Sequence, residues 1–170
     1  PALLEQILQK HGVCPDLLQE YAEDRSGVFE RVRTSDERLR DVSDDVLKKV
    51  FLLGIHGGTH INYLQKYLNF PEDDTTPVSD LKAWEKCLRK SLKALRKKSE
   101  FHKALFERVK ASDKPNPEGT FASWCWQVPE NEILLCLSEF FNKKESYTTG
   151  ALIFDGLLLE RKPDIEFIPK

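Results

Sequence analysis

The 170-residue sequence contains no methionine, only four cysteines, and almost no charge imbalance, with a formal net charge of −2. The missing methionine gives the expectation of a piece cut from a longer chain. No apolar run approaches the roughly 18–20 residues that a membrane-spanning helix needs. Glu5, Gln6 and Gln9 interrupt the N-terminal apolar stretch, so it lacks the layout of a secretory signal. No membrane partner is therefore expected. Cys14, Cys87, Cys125 and Cys136 are widely scattered, with no CxxC pair and no nearby His-x₃₋₅-His, which argues against a zinc ligand set. His56 and His60 are four residues apart, but Gly57 and Gly58 between them end a helix. Scattered thiols suit a reducing, intracellular compartment: cytoplasm, nucleus or a viral replication site.

What is present reads as a globular domain. Hydrophobic residues make up 40% and charged residues 32%, enough for a real core at this length. Leu3, Leu4, Ile7 and Leu8 set a helical stripe that Gly12 stops. Pro15 starts a second helix, with Leu17, Leu18 and Tyr21 on its inner side, and a third carries Val28, Phe29 and Val32. Ser43 is an N-cap candidate, with Asp44 and Asp45 in the first turn of a helix running through Val46, Leu47, Val50, Phe51 and Leu53 to Gly57-Gly58. Residues 71–79 predict a polar surface loop. One long helix is expected from Asp80 to about Ala111, on the apolar stripe Leu81, Trp84, Leu88, Leu92 and Leu95. After a break at 114–119, a further helix is expected to turn Ile133, Leu134, Leu137, Phe140 and Phe141 inward, with Pro129 bending or starting it. Residues 148–162 hold two apolar runs joined by Asp155-Gly156, a strong hairpin signal, and Ile165–Ile168 adds a third extended piece. The predicted class is α+β: a mainly helical region over 1–147, then a small antiparallel β-hairpin sheet over 148–170.

Three places could carry chemistry. Asp155 sits at a tight turn between apolar runs without alternation, which predicts strands buried on both faces and a carboxylate at the tip. A carboxylate fixed there can hold Mg²⁺, which prefers hard oxygen ligands beside phosphates; Asp-Gly also simply makes good turns. In the helix 44–58, Lys48, Leu52 and His56 share a face, placing Lys48 and His56 about 12 Å apart along the axis. That is about the reach of a nucleoside triphosphate, and Gly57-Gly58 lets another backbone or a base approach closely. The alternative is a buried helix with a snorkelling lysine and a glycine C-cap. The segment 80–114 holds 12 Lys and Arg against 5 acids, a charge of +7, while the rest of the chain carries −9. Such a stripe is the footprint of phosphate-backbone binding, with Lys86, Arg89, Lys93, Arg96 and Lys97 as the candidate contacts. It could equally be a solvated face, or a surface that docks a neighbouring domain.

In order along the chain, these pieces resemble the fingers and palm of an A-family-like single-subunit nucleic-acid polymerase, of the replicase type of large viruses and mobile elements. DVLKKVFLLGIHGG is similar to the fingers-helix motif, in which a Lys is followed at +8 by a ring and then Gly. LIFDGLLL resembles the palm hairpin with its metal-binding Asp, and the helix bearing Gln127 and Glu130 resembles the one that precedes it. PALLEQILQKHG looks like the helix after the first palm motif. The resemblance implies a fingers-like subdomain followed by a palm-like hairpin. It implies Asp155 as the catalytic Mg²⁺ ligand, Lys48 on the incoming triphosphate with Lys49 beside it, and His56 next to the nascent base pair. Gln127 and Glu130 would line the palm near primer or template. The implied activity is template-dependent nucleotidyl transfer, as a DNA polymerase in preference to an RNA polymerase. The implied partners are a primer-template, nucleoside triphosphates and the remaining polymerase domains of the same chain. The sequence departs from that pattern at Asp44, where the motif has Arg; Arg40 or Lys49 are the candidates to compensate. It also has His56 for a tyrosine, Gly156 for a second acid, and no first palm motif. Two-metal transfer needs carboxylates from separate strands, so this stretch alone is expected to be inactive. The competing expectation is a non-enzymatic helical module that binds nucleic acid or protein through 80–111.

Overall fold

The computed structural model describes residues 2–143, 147–153 and 156–161. The chain divides into two compact units, Pro1–Cys125 and Trp126–Lys170. It is helix-dominated, as expected.

The first unit begins with three short helices, α1 (Ala2–Lys10), α2 (Asp16–Glu23) and α3 (Arg25–Ser35). Gly12, at φ +60°, ends the α1 turn, and Asp24 caps α3 by accepting the Gly27 N–H at 2.9 Å. A 3₁₀ turn at Glu37–Leu39 leads into α4 (Asp44–Ile55). Ser43 takes the N-cap position of α4, but its side chain makes no cap bond. A helix that the sequence pattern did not predict, α5 (His60–Leu68), follows Gly57-Gly58 and ends on Asn69 in the left-handed conformation. The long helix expected over 80–111 is two: α6 (Ser79–Lys98) and α7 (Glu100–Ala111). Ser99 is the break. Its backbone is extended, and its hydroxyl accepts the His102 N–H at 3.3 Å, capping α7.

The core of this unit is an aromatic cluster where α2, α3, α4 and α6 meet. Tyr21 stacks on Phe51 at 5.0 Å between ring centres, and Trp84 meets Phe51 edge-on at 4.9 Å. The Trp84 indole donates to the Phe51 carbonyl at 3.0 Å, so the buried ring leaves no orphaned N–H. Gly54 permits this approach of α4 to α6, because a Cβ there would lie 2.8 Å from the Trp84 ring. Leu8, Leu18, Val32, Leu47, Leu88 and Leu95 are buried as well and extend the core beyond the cluster.

α8 runs from Pro117 to Asn142 and starts twelve residues before Pro129, which lies inside it. Proline has no N–H to give the carbonyl of Cys125, and the division between the two units falls at that residue. In the second unit, Leu134 is buried, but Ile133, Leu137 and Phe140 are exposed (Ile133 at 51%), so the expected inward face is not formed there. β1 (Tyr147–Ile153) and β2 (Gly156–Arg161) pair antiparallel, with Ile153 opposite Gly156 and a register shift between Thr149 and Ala151. Leu158 is 55% exposed, so the β2 run is not buried on both faces as expected. Asp155, and the third extended piece over 165–168, lie outside the described residues.

Candidate nucleic-acid interface

Five cations follow one face of α6. Lys82, Lys86, Arg89, Lys93 and Lys97 recur at i, i+4, i+7, i+11 and i+15, which confines them to an arc of roughly 80° on a 3.6-residue helix. They span about 22 Å of axis at 1.5 Å per residue. All five are exposed, while Leu81, Trp84, Leu88 and Leu95 on the opposite side are buried. Among the described residues Lys82, Lys86, Lys93 and Lys97 make no ion pair, and Arg89 has only a 3.6 Å contact to Glu85. A row of unneutralised cations with this reach can follow roughly six phosphates of one strand.

Arg96 does not belong to this row. Its side chain is 14% exposed, its guanidinium lies 3.8 Å from the centre of the Phe106 ring and 5.5 Å from Phe121, and it donates to Glu118 at 3.0 Å. The break at Ser99 folds Phe106 of α7 back over the end of α6, and the guanidinium fills the gap as a stacking and ion-pairing group. Lys98 is also engaged, donating to the carbonyls of His11 and Gly12 at 3.4 and 3.1 Å.

On α4, Lys48 and Lys49 are exposed, and Leu52 is half-buried between Lys48 and His56. His56 is the residue that ends the helix, and its Nδ1 lies 2.8 Å from the Ser123 hydroxyl in the first half of α8. Burial holds its pKa below the ordinary value. The close approach expected at Gly57-Gly58 is made by protein backbone. Gly57 adopts φ +74°, and a Cβ on it would lie 2.9 Å from the Gly119 Cα of α8. A Cβ on Gly119 would in turn lie 2.3 Å from the His56 carbonyl oxygen.

Asp44, where the fingers motif has Arg, is bound by the guanidinium of Arg33. Arg33 also donates to the Val42 carbonyl at 2.8 Å and to Glu30 at 2.6 Å, so its charge is neutralised on both sides. Arg40 is exposed, with a 3.5 Å contact to Glu37. Gln127 (exposed) and Glu130 (half-buried) lie on the α8 half that belongs to the second unit. Among the described residues no three His, Cys, Asp or Glu side chains converge as a metal site. With Asp155 outside those residues, no catalytic step is assigned to this stretch.

A second cluster, which sequence reasoning missed, lies beside the first turns of α6. Glu85 is buried, and one of its oxygens accepts both the His60 backbone N–H at 2.5 Å and the His60 ring Nδ1–H at 2.8 Å. His60 Nε2 accepts the Val78 N–H at 3.1 Å, which is why the proton sits on Nδ1. Burial alone raises the Glu85 pKa, but the two His60 hydrogen bonds, with the Arg89 charge behind them, outweigh it and leave the pKa lowered. The loop over 71–77 is pinned, not free. Arg38 bonds Asp36 at 2.6 Å, Asp74 at 2.8 Å and the Thr76 carbonyl at 3.3 Å, and lies over the Phe70 ring. Gln65 donates to the carbonyls of Glu72 and Asp74 at 3.0 and 3.2 Å.

No described helix is long and apolar enough to cross a membrane. The chain matches no known protein family, no curated protein and no solved structure.

Proposed function

We propose that the chain engages nucleic acid along α6, as the fingers-like and palm-helix part of a template-dependent nucleotidyltransferase, a DNA polymerase in preference to an RNA polymerase. The observation that carries the nucleic-acid half is the row of five exposed cations on one face of α6, four of them without an ion pair among the described residues. The polymerase half is supported by Lys48 and His56, which lie about two turns apart, Lys48 exposed in the first half of α4 and His56 at its C-terminal cap. In that reading Lys48 meets the triphosphate, with Lys49 beside it, and Gln127 and Glu130 contact primer or template. Asp155, with carboxylates from the rest of the enzyme, would hold Mg²⁺, which would supply charge stabilisation at the transferred phosphate.

The second reading, a non-enzymatic nucleic-acid-binding module, is favoured by one observation. The position of the motif arginine is an aspartate already paired with Arg33, which removes a cation from the proposed triphosphate site.

Both readings meet the same experiment. Replacing Lys93 and Lys97 together with Ala is expected to weaken oligonucleotide binding about tenfold at low salt, by the same factor for unrelated sequences; unchanged affinity contradicts the α6 interface. Lys48→Ala is expected to lower affinity for a deoxynucleoside triphosphate while leaving oligonucleotide binding intact. A chain that binds oligonucleotides through α6 but shows no Lys48-dependent triphosphate binding is the module, not the polymerase part.

A further inference from the structure

A cavity of about 550 Å³ opens between the start of α5, the 75–77 loop and the first half of α6. Its volume lies in the range that holds a nucleotide-sized ligand. Lys82, Lys86 and Arg89 line one side, and Glu85 is the one acid of its lining. Three cations against one carboxylate give the lining a net charge of +2, one Glu85 oxygen is already committed to His60, and the two lysines have no ion-pair partner among the described residues. Thr59 and Thr75 contribute hydroxyls, and Ile61 and Pro77 an apolar wall. The walls are fixed in advance. The Glu85–His60–Val78 bonds hold the start of α5 and the end of the loop against α6, and Arg38 clamps the loop from its other side. A polar loop held this firmly beside unpaired cations costs little further ordering when a ligand binds.

Resting on the reading of α6 as a phosphate-binding face, we infer that this cavity is a site for a phosphomonoester, the terminal phosphate of a nucleotide. The ligand charge follows from the lining, because a phosphomonoester is nearly dianionic at neutral pH and meets a surplus of two cations. The position follows from the helix, because the cavity takes in the Lys82 end of the cation row, within reach of the end of a strand laid along α6. The phosphate has two sources: a free nucleoside monophosphate or a strand end.

The test compares oligonucleotides of one sequence bearing phosphate at the 5′ end, the 3′ end or neither, together with deoxyadenosine monophosphate followed by amide chemical shifts. One phosphorylated strand is expected to bind about tenfold more tightly than the unphosphorylated strand, and Lys82→Ala/Lys86→Ala abolishes the difference. Lys82→Gln/Lys86→Gln repeats the test with the stems kept, and the amide spectrum reports that either variant is folded. A strand-end preference alone assigns the site to strand termini. Monophosphate shifts at Ile61 and Thr75 alone, lost in the variants, assign it to free nucleotide. Equal binding of all strands with no shift at those amides overturns the proposal, as does a preference that survives both variants. Lys93→Ala/Lys97→Ala separates this claim from the interface claim: it weakens every strand alike if α6 is the interface, and leaves the phosphate preference in place.

Discussion

Glu85 and His102 are buried titratable side chains in opposite situations, and the difference fixes how the chain responds to acid. Glu85 is held ionised by the His60 backbone and ring, and its contribution is present above the ordinary carboxylate range and lost as pH falls through its lowered folded value. For His102, burial first and the neighbouring His11 second push the pKa from 6.5 to about 4. The unfolded chain therefore binds this proton where the folded chain does not, and stability declines as pH falls from about 6.5 to about 4. Urea midpoints measured over that window are expected to drop in the native chain and to drop less steeply in His102→Gln; parallel slopes would contradict the assignment. The same scale shows what a sequence hides. Charge sign made Arg96 look like a neighbour of Lys93 and Lys97, but whether a guanidinium faces solvent or stacks on a ring such as Phe106 depends on an element that packs back from elsewhere. Asp44 was visible as a departure from the motif, whereas its partner Arg33 lies eleven residues away on another helix.

Among the elements, α6 was the most legible, because its apolar and basic residues keep one 3.6-residue period over twenty residues. The break after it was not, because the apolar pattern of α7 resumes at Leu105 and Val109 and disguises a change of axis at Ser99. Ser99→Ala removes the α7 cap and is expected to cost about 1 kcal/mol, seen as a Tm lower by about 2–4 °C; an unchanged Tm would show that the helix pair needs no cap there. α5 escaped notice because nine residues carry its pattern, and only His60 and Leu64 are buried. Its clearest signal was Thr59 before an apolar-periodic run, and its first residue is tied to Glu85 twenty-five positions on, a pairing that local pattern does not encode. In the last helix, the stripe from Ile133 to Phe140 predicted burial from periodicity alone, yet most of it is exposed. An amphipathic face states what a helix can bury, not what covers it.

For the whole molecule, the net charge of −2 conceals the feature on which the proposed function rests. The +7 segment 80–114 and the −9 remainder are arranged by the fold so that five cations of α6 share one exposed face and the leucines of the same helix point into the core. Helical content and the basic face were readable because both depend on local spacing. The cavity beside Lys82 and Lys86 was not, since it is assembled from α5, a loop and α6. The central claim is that this face binds the phosphate backbone, and the salt dependence of oligonucleotide affinity tests it most directly. Log Kobs against log salt for the intact chain is expected to be linear with a slope of about −3.5 on a single strand or about −4.5 on duplex DNA, as five neutralised phosphates require. Lys93→Ala/Lys97→Ala is expected to make the slope shallower by about 1.4 on a single strand or about 1.8 on duplex. A slope near zero, or one that the double substitution leaves unchanged, would contradict the account.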